Sequence, residues 1–294
     1  MATNQPKPSS LKMAKLNTRT IKRFKRAREN SYLQMLTCYD FQTAQLLNQL
    51  KLEMILVGDS LGNVILGYDS TIKVTLEEMT IFSTAVKRGA KNKFVIADLP
   101  FGSYADFQTG LSNAIKLFQS SGVEALKLEG AFPYQLELIT RLTQIGIPVM
   151  GHIGLMPQSV HQQGGYYLHG KDLDSETELI KSATALEKAG AFAIVLECID
   201  ASVAGKITAS IEIPTIGIGS GHDVDGKVLV LNDLLGMGKH TPPKFVSPIS
   251  NLFAYKSELI EKYLEAESFS ATTTNSSLST TASEQQHELK SPYA

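Results

Sequence analysis

Ile55-Leu56-Val57-Gly58-Asp59-Ser60 is a short apolar run that stops abruptly on a carboxylate. That is the pattern of a strand covered on both faces which delivers one charge at its C-terminal end. The device repeats along the chain. Phe94-Val95-Ile96-Ala97-Asp98, Ala125-Leu126-Lys127-Leu128-Glu129, Pro148-Val149-Met150-Gly151-His152 and Ala193-Ile194-Val195-Leu196-Glu197 each end in an ionisable residue. In a parallel sheet with helical crossovers all strand C-termini lie on one side, so these groups are expected to converge on one mouth. Lys127 and Glu129, two apart on a strand, should face the same way, into that mouth.

Outward from these runs, three more strand-like stretches are expected at 33–38, 214–218 and 227–231. Helical periodicity separates most of them, at 41–50 (apolar face Ala44, Leu47, Leu50), 76–88, 107–120, 133–144, 176–189 and 203–210, with a last helix at 248–267. A Gly-containing loop is expected from 62 to 71. Eight strands close a (β/α)8 barrel, so the expected class is α/β, a single TIM barrel with an N-terminal helix and disordered tails. The expected division is a basic N-terminal segment at 1–17, the catalytic barrel at 18–267 and a Ser/Thr-rich tail at 268–294 without apolar periodicity. The basic stretch TRTIKRFKRAR, 18–28, reads as a solvated helix laid over the barrel's end, in preference to an RNA contact or an organellar leader.

The 294 residues are 43% hydrophobic with a net charge of −1, enough for a large core and against a nucleic-acid or anionic-membrane surface. Small molecules are the expected partners. The two cysteines, Cys38 and Cys198, sit in apolar runs without CxxC spacing and are expected to be inert packing in a reducing compartment. With no apolar run of about 18 residues and a polar start, the expectation is a cytoplasmic protein with no membrane span.

The chemistry expected at the mouth follows from residue type. Asp59, Asp98 and Glu129 crowd three carboxylates around Lys127, which calls for a divalent cation. Oxygen-only ligands favour Mg²⁺ or Mn²⁺ over zinc. His152 fits a hydrogen-bonded group behind the ligands. Glu197, four strands round from Asp59, stands where a general base can face a metal-bound substrate. Ile216-Gly217-Ile218-Gly219-Ser220-Gly221 lies where barrels often bind phosphate, but no Lys-Ser/Thr follows it, so the glycines read more simply as a tight strand exit.

The strings MLTCYD, ILVGDSLGNVILGYDST, ADLPFGSY, ALKLEGA, PVMGHIGLMPQSV, GGY, VLEC and IPTIGIGSG, in that order, resemble the ketopantoate hydroxymethyltransferase family over about residues 18–267. The resemblance implies a barrel of the phosphoenolpyruvate/pyruvate superfamily, usually a homodecamer, acting in pantothenate biosynthesis. It implies that Asp59 and Asp98 bind Mg²⁺, with Glu129 completing the site directly or through water. Asp59, Ser60, Asp98 and Lys127 would hold the 2-oxo acid, and Glu197 would be the base. The implied reaction adds the one-carbon unit of 5,10-methylenetetrahydrofolate to C3 of 3-methyl-2-oxobutanoate, through an enolate, giving 2-dehydropantoate. The sequence departs from the family pattern at Ala131, Leu168-His169, Val224 and Asn232, which are loop and rim positions. Two alternatives are a related metal-dependent 2-oxo-acid lyase, whose Lys-Lys-Cys-Gly-His loop is absent here, and a catalytically inactive barrel scaffold.

Overall fold

The structure is a computed structural model that describes residues 17–25 and 32–277. Eight parallel strands close into a barrel in chain order. They are β1 (Leu33–Thr37), β2 (Met54–Val57), β3 (Phe94–Asp98), β4 (Ala125–Lys127), β5 (Val149–Gly154), β6 (Ala193–Glu197), β7 (Thr215–Ile218) and β8 (Gly226–Leu229). The seam closes where β1 pairs with β8, from Leu33 opposite Gly226 to Leu36 opposite Leu229.

The helices are α1 (Thr18–Phe24), α2 (Phe41–Gln49), α3 (Leu61–Val64), α4 (Leu76–Gly89), α5 (Phe107–Ser121), α6 (Pro133–Gln144), α7 (Val160–Gln163), α8 (Leu173–Lys188), α9 (Ala201–Ser210), α10 (Leu231–Leu235) and α11 (Leu252–Ser277). Local signals set several of their ends. Asp40, Asp106 and Asp172 cap α2, α5 and α8 by accepting from the backbone N–H groups of Thr43, Thr109 and Ser175, which satisfies orphan donors of the first turn. Thr75 and Glu78 form a reciprocal capping box on α4. Gly122, at φ 69°, ends α5 in the left-handed conformation glycine tolerates.

Alternation along the strands divides the apolar residues into two cores. Ile55, Val57, Val95, Ala97 and Leu126 face outward and pack with the helices in one continuous cluster. Met54, Leu56, Phe94, Ile96, Ala125, Met150, Ala193 and Val195 form a second cluster inside the barrel. Ile21 of α1, fully buried, belongs to the inner cluster together with Leu33 and Phe192, and Lys25 pairs with Asp225 at 3.0 Å and donates to the Thr208 carbonyl. The helix expected over the barrel's end is therefore anchored through Ile21, but it stops at Phe24; residues 26–31 lie outside the described set.

Other boundaries differ from expectation for local reasons. The loop at 62–71 begins with the single-turn helix α3. Helix α8 starts three residues early because Asp172 is its cap. The stretch at 227–231 splits: β8 ends at Leu229 and Leu231 opens α10, so Asn232 and Asp233 are helical. Leu50 is the C-cap of α2 and exposed, while Ala44 and Leu47 form its buried face. Helix α11 begins at Leu252 and runs to Ser277, through the start of the stretch expected as tail; residues 278–294, like 1–16, lie outside the described set. Cys38 is buried as expected, but Cys198 is half-buried and has φ 48°, so it is not core packing.

Candidate active site at the carboxyl ends of the strands

The inward parity that builds the inner core continues upward into polar residues. Phe94 and Ile96 lead to Asp98, Ala125 leads to Lys127 and Glu129, Met150 leads to His152, and Ala193 and Val195 lead to Glu197. Asp59, Asp98, Lys127, Glu129 and His152 are all buried, each 2–5% exposed, so the expected convergence occurs although their strands are far apart in sequence. β4 formally ends at Lys127, yet Glu129 keeps the inward direction.

Asp98 and Lys127 are paired in register across β3 and β4, and Lys127 Nζ lies 3.1 Å from Asp98 Oδ1. The Asp59 backbone N–H donates to Asp98 Oδ2 at 3.1 Å. His152 stands between two acids, with Nδ1 3.5 Å from Glu129 Oε1 and Nε2 3.3 Å from Glu197 Oε2, and its Nδ1 is 3.2 Å from Lys127 Nζ. Glu197 pairs with His152 and not with Lys127, and its side chain is 17% exposed, so it is the acid of the group that reaches solvent.

Charge crowding is visible in the protonation equilibria. Burial, then Asp98 and Glu129, hold the Asp59 carboxyl well above the ordinary range. Burial also raises Asp98, against the pull of Lys127. For Glu129, burial is outweighed by the adjacent His152 and by Lys127, and its pKa falls. Burial and Lys127 push His152 down, but the facing carboxylates of Glu129 and Glu197 prevail and lift it to about 9.

Three buried carboxylates thus face one lysine, with His152 beside them, so negative charge is in excess over Lys127 when all are ionised. Asp98 Oδ1 and Glu129 Oε1 are buried and lack hydrogen-bond partners of acceptable geometry, a costly condition unless another positive group approaches. Among the described residues no three His, Cys, Asp or Glu side chains already surround a point as a metal cage. The donor set therefore fits Mg²⁺ held by one or two carboxylates, with substrate and water oxygens filling the rest, and does not fit an all-protein site.

Ser60 and Glu197 sit where this cluster meets a cavity of about 900 Å³ whose walls include Tyr166, Tyr167, Cys198, His240 and Phe245. Ser60 Oγ is 2.8 Å from the hydroxyl of Tyr39, which follows β1. The Gly-rich exit of β7 serves the fold: Ser220 Oγ donates to the Leu196 carbonyl and accepts from the Ile199 N–H, so that hydroxyl is committed to holding the neighbouring strand's exit.

Three polar residues at the site carry no expectation from the sequence: Tyr39, Tyr104 and Gln158. Gln158 Nε2 donates to Asp59 Oδ2 at 2.7 Å, its backbone N–H donates to Glu129 Oε2 at 3.1 Å, and its Oε1 accepts from Tyr104 at 2.6 Å. It lies in the MPQS stretch after β5, where no periodicity marks a residue as inward. Only its place beside GHIG could have drawn attention to it.

The closed parallel barrel is similar in fold to solved structures, one of them a member of the phosphoenolpyruvate mutase/isocitrate lyase superfamily. A 2,3-dimethylmalate lyase of that superfamily overlays with a TM-score of 0.54 over 86% of this chain and 98% of its own, at 14% identity. A phosphoenolpyruvate phosphomutase from Streptomyces platensis overlays with a TM-score of 0.56 over 86% and 99%, at 10% identity. At such identities the likeness is one of fold alone. The sequence profile described as Ketopantoate hydroxymethyltransferase matches residues 15–269, and the chain belongs to that family. It is similar to the 3-methyl-2-oxobutanoate hydroxymethyltransferase of Carboxydothermus hydrogenoformans, with 48% identity over 86% of this chain and 91% of that protein. The protein of the same name from Leptospira interrogans is 48% identical over 79% and 88%.

Proposed function

We infer that the chain is a transferase that adds the one-carbon unit of 5,10-methylenetetrahydrofolate to C3 of 3-methyl-2-oxobutanoate, forming 2-dehydropantoate for pantothenate biosynthesis. The observation that carries the reading is the placement of Glu197, the one part-exposed acid, at the junction between the buried cluster of Asp59, Asp98, Lys127 and Glu129 and the 900 Å³ cavity. That is the position a base needs if the small oxo acid sits against the cluster and a larger one-carbon donor fills the cavity.

Asp59 and Asp98 would hold Mg²⁺, with Glu129 joining directly or through a water. When bound, the ion would supply positive charge at the oxygens of the oxo acid and so acidify the adjacent C–H. Lys127, kept charged because Asp98, Glu129 and Asp59 together outweigh its burial, binds the substrate's anionic oxygens. Ser60, oriented by Tyr39, offers a hydroxyl to the same molecule. Glu197 removes the C3 proton, and His152, whose Nε2 lies 3.3 Å from the Glu197 carboxylate, holds it toward the substrate. The carbon nucleophile so formed attacks the methylene carbon of the folate, whose bond to one folate nitrogen has opened, and water then displaces the other nitrogen, leaving the hydroxymethyl group on C3 and releasing tetrahydrofolate.

The lyase alternative draws no support from the fold likenesses, which extend to many reactions. For assembly we propose a homo-oligomer, a decamer by family, since α11 exposes Tyr255, Leu259 and Tyr263 at four-residue spacing on one face.

Deuterium exchange at C3 of 3-methyl-2-oxobutanoate tests the reading without folate. Exchange is expected to need Mg²⁺ and to disappear in Glu197→Gln. Metal-independent exchange, or full exchange in Glu197→Gln, overturns it.

A further inference from the structure

The carboxamide of Gln158 is the best-connected polar group beside the acids, and the proposed chemistry leaves it without a task. Its Nε2 spends one N–H on Asp59 Oδ2 at 2.7 Å and the other on the Leu99 carbonyl at 3.0 Å, and its Oε1 accepts from Tyr104 at 2.6 Å. Two of the three partners fix which end of the amide is which. Leu99 O can only accept, so it must face the NH₂ group. Tyr104 is buried, and its hydroxyl donates to Oε1. A flipped amide would set Oε1 against both a carbonyl and a carboxylate. The buried donor therefore points at Asp59 in one orientation only.

We propose that Gln158, locked by Tyr104, is a positioning residue that holds Asp59 Oδ2 in place and thereby turns the second oxygen, Oδ1, toward a divalent cation. This rests on Asp59 being a metal ligand. Among the described residues Oδ1 takes no hydrogen bond, whereas Oδ2 is engaged. A neutral donor suits the role, because a cation at the same point would compete with the metal for the carboxylate's charge. A donor that fixes one oxygen of a ligating carboxylate also restricts its rotation, so less freedom is lost when the ion binds. The contact to Glu129 comes from the Gln158 backbone and survives side-chain replacement, so side-chain variants remove the tie to Asp59, with those to Leu99 and Tyr104, and leave Glu129 held; the double variant then separates what acts through Asp59.

The test is Mn²⁺ binding to the substrate-free enzyme, followed by electron paramagnetic resonance, in wild type, Gln158→Met, Tyr104→Phe, Asp59→Asn and the double variant Asp59→Asn/Gln158→Met. Gln158→Met is expected to weaken Mn²⁺ binding about 10- to 100-fold and Tyr104→Phe in the same direction by less, with the oxo-acid KM at saturating metal unchanged. The double variant should bind no more weakly than Asp59→Asn alone, since Gln158 acts through Asp59. Should Gln158→Met not fold, Tyr104→Phe, which removes one oxygen, carries the test. Wild-type Mn²⁺ affinity in both Gln158→Met and Tyr104→Phe, or a further loss in the double variant, overturns the inference and leaves the proposed function standing. Wild-type affinity in Asp59→Asn overturns the ligand reading itself.

Discussion

Asp98 and Lys127 face each other in register across β3 and β4 with their charged atoms 3.1 Å apart, and both side chains are 5% exposed or less. Among the described residues Lys127 is the only lysine against the three acids, so removing it strands them. Lys127→Met is expected to lower stability by about 3–5 kcal/mol, read by chemical denaturation. It should lower kcat/KM by about 100-fold or more. A variant with wild-type turnover would show that Lys127 is only a structural counter-ion.

A cation that binds the folded chain through Asp59 and Asp98 must also stabilise it. Adding Mg²⁺ at about 100 times its Kd is expected to raise unfolding free energy by about 2.7 kcal/mol, and exhaustive chelation should remove both this gain and the activity. Asp59→Asn should lose the Mg²⁺-dependent shift in denaturation midpoint; an equal shift in that variant sinks the assignment.

Gly154 sits at φ 97°, opposite Glu197 in the β5–β6 register, and a Cβ there would lie 2.2 Å from the Glu197 carbonyl oxygen. Gly154→Ala therefore strains its own backbone by about 1–3 kcal/mol and displaces the strand end that carries the base. Turnover is expected to fall much further than that of a surface Gly→Ala control such as Gly146→Ala, whose added Cβ meets nothing within 4 Å. Equal kcat in the two variants refutes the steric argument.

Burial, outweighing the local backbone hydrogen bonds, pushes the Cys38 thiol up to about 12, and burial beside Glu197 does the same for Cys198. Neither is expected to react with a disulfide reagent at pH 8 in the native state, and both should react after unfolding. The sign of the pH effect follows. The unfolded thiol loses its proton first, so the neutral-thiol contribution is complete below the unfolded pKa near 9 and is lost as pH climbs toward 12. Rapid native labelling of Cys198, which lines the cavity, contradicts this.

If the Tyr255, Leu259 and Tyr263 face of α11 is covered by another copy, Leu259→Asp combined with Tyr263→Asp should reduce the mass seen by light scattering while leaving the barrel's circular dichroism intact. An unchanged mass means that the face is not the contact.

The strand count, the closure and the gathering of Asp98, Lys127, Glu129 and His152 were legible because period-two alternation carries inward residues from apolar core into charged mouth; Asp59 follows the outward parity of Ile55 and Val57 and reaches the mouth through the turn after β2. The role of Gln158 was not, since a loop residue's direction depends on tertiary contacts that no spacing encodes. Helix ends were misjudged where a cap decided them, as at Asp172. The stretch at 227–231 misled because an apolar run of five can serve a strand and then a helix start equally well.

Ile21, Leu33 and Phe94 belong to an apolar plug inside the barrel, and the acids stand above it, beneath the cavity that Ser60 and Glu197 line. Whatever binds lowest must arrive first and leave last. On this reading the oxo acid precedes the folate and its product departs after the spent carrier, a compulsory queue imposed by a plug far from the chemistry.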